Sequence, residues 1–208
     1  MKKILLLLIT GILFVPLPAV KDWEIHTNTT HLFDAYELNG IVYIASWGGL
    51  SRLDRQTGEF LQPYTTVDGL SNNEIRTLDY FPDNDELLLG SGRQGIDRFQ
   101  NGNFLIPLND VLGLASNNVR QICHLDTLIL AATDQGLSIF TKFGDFPFPF
   151  LLNNFTIDNG LSSNMITSLA VTSDGWIFCG SSNGIDYIHA DSLNQIDAWQ
   201  NLNDNNSP

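Results

Sequence analysis

From residue 31 onward, apolar and polar positions alternate in short runs, and no stretch repeats at helical spacing. EIRTLDYF at 74–81, NVRQICHL at 118–125 and MITSLAVT at 165–172 each alternate with period 2, which predicts strands. A tight polar turn follows each: PDND at 82–85, Asp126-Thr127, and Ser173-Asp174-Gly175. A second apolar run comes next, as ELLLG, LILAA or WIFCG, then a glycine loop and a third strand such as GIDRF or GLSIF. A less regular fourth segment carries an aromatic, as in LQPYTTVDGL or NNFTIDNGL. Runs such as ELLLGS and IVYIAS are apolar on both faces, which predicts sheets covered on both sides.

Two anchors recur in step. The first is GLSNN at 69–73, GLASNN at 113–118 and GLSSN at 160–164, with glycines 44 and 47 residues apart. The second is ASWGGLSRLD at 45–54, GSGRQGIDRF at 90–99, AATDQGLSIF at 131–140 and CGSSNGIDYI at 179–188; its closing glycines are spaced 46, 41 and 48. Four short strands per unit of about 45 residues are the sequence form of a β-propeller blade. A β-solenoid fits less well, because its repeats are shorter and lack this four-strand cadence. The fold expected is therefore all-β, a β-propeller with four visible four-stranded blades at about 23–60, 61–104, 105–150 and 151–196. WQNLNDNNSP at 199–208 aligns Leu202 with Tyr64 and Phe155, which reads as the start of a fifth unit over 197–208 and of a longer propeller.

The stretch GLSSNMITSLAVTSDGWIFCGSSNGIDYI at 160–188 resembles the two-component-regulator propeller repeat: Gly-Leu-Ser, Asn, a strand, Asp-Gly, a Trp-Ile strand, then a Gly-Thr-x-x-Gly-Leu turn. The unit at 69–99 is similar without the Trp, and the unit at 113–140 lacks the Asp-Gly turn. The resemblance implies an extracytoplasmic sensor half of a hybrid histidine kinase, whose ligands are often oligosaccharides. It also implies an alternative, a secreted or surface scaffold propeller acting with protein partners in secretion or envelope assembly. No kinase, receiver or sorting sequence lies within the 208 residues.

The chain opens with Lys2-Lys3, an apolar run over 4–15 and Pro16-Leu17-Pro18-Ala19. This layout predicts a signal peptide over 1–19, hence a periplasmic, secreted or cell-surface protein. The run is too short for a membrane span. Loss of Lys2 and Lys3 with the leader takes the formal charge from −13 to −15. So acidic a body disfavours nucleic acid and anionic membrane surfaces as partners. Cys123 and Cys179 sit inside apolar strand runs and read as free core thiols rather than a disulfide.

Both anchors are expected at one mouth of the central channel. Their glycines suit turns with positive φ, and their Ser and Asn side chains suit bonds to turn backbone. Positions that vary between units are the candidates for ligand binding: Trp47, Arg93, Gln94, Asp134, Gln135 and Asn183 on one loop set, and Asn73, Asn118 and Asn164 on the other. An aromatic beside amides and a charge suits a carbohydrate or peptide ligand. No catalytic constellation, cofactor or metal is expected. His26, His31, His124 and His189 lack ligand spacing and read as structural or exposed, and PDNDE at 82–86 reads as a hairpin turn rather than a calcium loop. The sequons at Asn28 and Asn154 matter only in a glycosylating host.

Overall fold

A computed structural model describes residues 31–142, 146, 148–195 and 198–203. The predicted leader, His26, Asn28 and the last residues of the expected fifth unit, 204–208, lie outside them.

The described residues build four antiparallel four-stranded sheets, each in simple sequence order. The first contains β1 (Leu32–Leu38), β2 (Ile41–Ser46), β3 (Gly49–Asp54) and β4 (Phe60–Tyr64). The second contains β5 (Ile75–Phe81), β6 (Glu86–Ser91), β7 (Ile96–Gln100) and β8 (Asn103–Phe104). The third contains β9 (Val119–Leu125), β10 (Leu128–Thr133), β11 (Gly136–Thr141) and β12 (Phe150–Phe155). The fourth contains β13 (Ser168–Val171), β14 (Trp176–Ser181), β15 (Gly184–His189) and β16 (Gln200–Leu202). These are propeller blades, as the repeat predicts.

The sheets divide the chain differently from the units read along the sequence. Phe60–Tyr64 pairs with β3 and Phe150–Phe155 with β11, so both segments complete the sheet before them. Gln200–Leu202 likewise pairs with β15, with Leu202 opposite Ile185. The alignment of Leu202 with Tyr64 and Phe155 holds, since these lie opposite Leu50 and Leu137 at the same register. What changes is ownership: the segment is the fourth strand of the fourth sheet, not the opening of a fifth. The physical reason is the ladder, because an edge at the third strand leaves a row of unpaired N–H and C=O groups for the returning chain to fill.

Successive sheets stack through apolar faces. Leu87 and Leu89 of β6 pack toward the first sheet with Ala45, Leu50, Ile75 and Phe99. Leu88, between them, points the other way, into a cluster with Val119, Ile122, Ile129 and Phe140. A third cluster joins sheets three and four through Leu130, Leu137, Ile166, Ile177 and Ile188. Period 2 on a strand with both faces covered thus produces the continuous apolar run ELLLGS, all of it buried. Within the second sheet, Arg98 donates from Nε and Nη2 to Glu86 at 2.8 and 2.6 Å, and both side chains are buried. Cys179 is buried and Cys123 half-buried, both free. Burial first, then nearby Asp79, pushes the Cys123 thiol up to about 12.

The innermost strands β1, β5, β9 and β13 also latch to one another. Leu78 N–H donates to Asp34 Oδ2 (2.8 Å), Ile122 N–H to Thr77 Oγ1 (3.3 Å), and Leu169 N–H to Gln121 Oε1 (2.7 Å). One side chain per strand therefore bonds the backbone of the next blade, at equivalent positions. This sets the register between blades as well as within them.

Candidate functional site

The two repeated anchors are bonded directly to each other. Ser71 donates from its backbone N–H and its hydroxyl to Asp97, the hydroxyl at 2.6 Å. Ser162 does the same to Asp186, at 3.0 and 2.8 Å. In the third blade, Ala115 replaces the serine and Ser138 replaces the aspartate; the remaining bond runs from Ala115 N–H to Ser138 Oγ at 2.9 Å. Loss of one hydroxyl donor thus accompanies loss of the charged acceptor. Asp97 is buried, and that desolvation pushes its carboxyl up to about 6, against the opposing effect of the Ser71 bonds. Asp186 takes a further bond from Asn201 Nδ2 at 2.9 Å.

Glycine at the end of the second anchor is required twice over. Gly95 has φ +86 and Gly136 has φ +132, and a Cβ on either would collide with a backbone carbonyl, of Leu108 or Phe155. Gly49 and Gly184 meet Tyr64 and Leu202 in the same way. The turn before each glycine is closed by a hydroxyl. Ser46, Thr133 and Ser181 each donate to the carbonyl of that glycine, and the hydroxyls of Ser46, Ser91, Thr133 and Ser181 accept from turn N–H groups.

With both loops held, one residue at the head of each innermost strand points into a common pocket. Phe33, Arg76 and Arg120 each stand one residue before the latching side chain of their strand, and Thr167 stands immediately before β13. Together with Trp47, Glu74 and Asn118 they line an open pocket of about 460 Å³. That size lies within the roughly 300–1,000 Å³ of small-molecule sites. Trp47 stacks on His31 with centroids 4.1 Å apart, leans on Phe33, and remains 44% exposed. Arg76 donates from Nε and Nη2 to Glu74 Oε1, and from Nη1 to Asn118 Oδ1 at 2.7 Å. Asn118 Nδ2 passes the chain on to Asp134 Oδ2 at 2.9 Å. Asp134 Oδ1 and Arg120 Nε are buried without a hydrogen-bond partner among the described residues.

The nine candidate residues separate on this geometry. Trp47 and Asn118 line the pocket, and Asp134 bonds to it through Asn118. Arg93 is exposed, with its Nε 3.9 Å from Glu74 Oε2. Gln94 and Gln135 are exposed at their loop tips, while Asn183 Nδ2 donates to Ser162 O at 2.7 Å. Asn73 and Asn164 hold the loops: their Oδ1 atoms accept from Thr66 N–H and Ile157 N–H, seven residues upstream. The equivalent clamp in the third blade is Asn117, which accepts from Asp110 N–H at 2.9 Å. Asn118 is therefore offset by one from the position assigned to it by the alignment of GLASNN. It stands where Glu74 and Met165 stand, and with Glu74 it lines the pocket.

Sequence reasoning missed Arg76, Arg120, Phe33 and Thr167. The available signal was their matched place at the head of each innermost strand, obscured because the four residues differ in chemistry. Farther along these strands, Asp79 Oδ2 lies 2.9 Å from His124 Nδ1, and burial raises the Asp79 carboxyl while His124 opposes that shift. His189 approaches Asp174 O at 2.8 Å, so it ties the third strand to the Asp-Gly turn.

No family model and no curated protein matches the chain. Solved structures do. The extracellular domain of the putative hybrid two-component system BT3049 from B. thetaiotaomicron superposes with a TM-score of 0.70 at 19% identity. The match covers 83% of this chain and 23% of that one. The extracellular domain of the putative hybrid two-component system BT4673 from the same organism gives 0.61 at 19% identity, over 83% and 22%. The computationally designed protein Ika8 gives 0.58 at 16% identity, over 79% and 47%. This chain thus has the fold of part of those extracellular domains and spans about a quarter of their length. Among the described residues, no helix is long and apolar enough to cross a membrane.

Proposed function

We propose that this chain is the ligand-binding, non-catalytic part of an extracytoplasmic β-propeller sensor of the two-component-regulator type, with a carbohydrate or peptide as ligand. One observation carries the reading. Three innermost strands and the residue just before the fourth each deliver one side chain to a single open pocket edged by a half-exposed tryptophan, and polar atoms there are left without a partner among the described residues. Stacked blades bring side chains together in any case; an exposed tryptophan and unpartnered polar atoms beside them are what packing does not require. The apolar leader pattern and the extracellular setting of the similar domains support placement outside the cytoplasm. The mouth holds Trp47, Arg76, Asn118 and Arg120 as the contact set, with Asp134 and Arg93 at its rim.

Binding of the purified protein to a glycan array, compared with Trp47→Ala, tests the site. Loss of the bound glycans in the variant, with an unchanged thermal midpoint, is the expected result. Equal binding by both proteins removes this mouth as the site.

A further inference from the structure

The charges at the mouth are unbalanced in a way that specifies what the pocket receives. Arg76 and Arg120 are counterparts on neighbouring innermost strands, yet only Arg76 is satisfied, by Glu74 and Asn118. The Arg120 side chain has no hydrogen bond or ion pair among the described residues, and its Nε is shielded from water. A half-buried guanidinium in that state loses hydration without gaining an acceptor. Neither carboxylate at this opening forms an ion pair with it: Glu74 is occupied by Arg76 at 2.5 Å and faces Arg93 at 3.9 Å, and Asp134 is bonded to Asn118. In a chain of net charge −13, three of its ten basic residues, Arg76, Arg93 and Arg120, gather at this one opening against two carboxylates, Glu74 and Asp134. Such a local reversal of sign draws anions toward it.

We infer that the ligand carries a carboxylate received by Arg120, on a sugar whose ring lies along the Trp47 edge: a uronic-acid-containing oligosaccharide. The inference rests on the ligand-binding reading above. A planar guanidinium matches a carboxylate through two parallel bonds. A doubly charged phosphate is the poorer fit, because Glu74 lines the same pocket and would repel it more strongly. The aromatic edge made by Trp47 over His31 and beside Phe33 suits the apolar face of a pyranose, while Asn118 and Thr167 offer hydrogen bonds to its hydroxyls.

The test is a binding titration with an array of galacturonate, glucuronate, mannuronate and guluronate oligosaccharides, their methyl esters, neutral oligosaccharides of the same length, and short peptides with free C-termini. At least one uronate should bind on the order of tenfold to a hundredfold tighter than its methyl ester, the gain of one charge-assisted pair. Arg120→Gln should erase that preference, and Arg120→Lys should restore part of it, with thermal midpoints showing that each variant is folded. Binding of neutral oligosaccharides equally by the protein and Arg120→Gln, but not by Trp47→Ala, overturns the carboxylate assignment and leaves the binding site standing. Uronate binding unchanged by Arg120→Gln overturns the assignment as well. Capture of peptide carboxylates in place of uronates overturns the sugar half of it. Retention of no oligosaccharide and no peptide defeats this inference together with the reading beneath it.

Discussion

Asp97→Asn should remove a pH dependence of stability that comes from a single buried carboxyl. Asp97 is 2% exposed and accepts from Ser71, and burial lifts its carboxyl from an ordinary 3.8 to about 6. The folded protein therefore holds a proton that the unfolded chain releases. The stabilisation from that proton is full below the unfolded value, near pH 3.8, and is lost as pH rises through about 6. A shift of this size corresponds to roughly 3 kcal/mol, of which about 2 kcal/mol falls between pH 4.5 and pH 8. Asparagine keeps one acceptor for Ser71 and carries no charge at either pH. Urea unfolding of both proteins at pH 4.5, 6 and 8 isolates the effect, since every other carboxyl contributes equally to both. The stability of the parent relative to Asp97→Asn should fall by about 2 kcal/mol from the lowest pH to the highest. A difference that stays flat with pH, or rises with it, would refute the reasoning, because the Ser71 bonds would then outweigh desolvation.

Gly95→Ala should destabilise by more than about 2 kcal/mol, because it combines φ +86 with a collision against Leu108 O. Gly102→Ala, at φ +82 with nothing within 4 Å, should cost only about 1 kcal/mol; equal losses in thermal unfolding would discard the close-approach argument. The double variant Ser71→Ala/Asp97→Ser should lose less stability than the sum of the two single variants, since it rebuilds the Ala115–Ser138 arrangement of the third blade. A coupling of about 1 kcal/mol in a double-mutant cycle is expected, and strict additivity would show that the two anchors act independently.

Much of the fold was legible because a blade is a local object. Its strands follow one another, its turns need glycine or aspartate at set places, and apolar runs on both faces announce sheets stacked on sheets. The candidate site was legible only in part. Trp47 and Asp134 sit on the repeated glycine loops and were found by their variation between units, and Asn118 as one of three asparagines on the Ser-Asn loops. Arg76 and Arg120 lie inside the strands, where alternation reads them as ordinary polar positions. Asn73 and Asn164 resembled ligand contacts along the sequence but spend their carbonyls on the backbone seven residues upstream. The one-residue insertion in GLASNN hid the equivalence of Asn117 with them.

The amino-acid sequence by itself determined the strand period, the turn chemistry, the number of repeated units and the acidic surface, since each depends on residues near one another in the chain. The tertiary structure alone decided which sheet owns each fourth strand, because an unpaired edge is satisfied by whichever segment returns to it. It alone joined Ser71 to Asp97 across 26 residues and Asp34 to Leu78 across 44. And it alone placed Phe33, Arg76, Arg120 and Thr167 around one opening, because convergence on a central axis is a property of stacked blades and of no single blade.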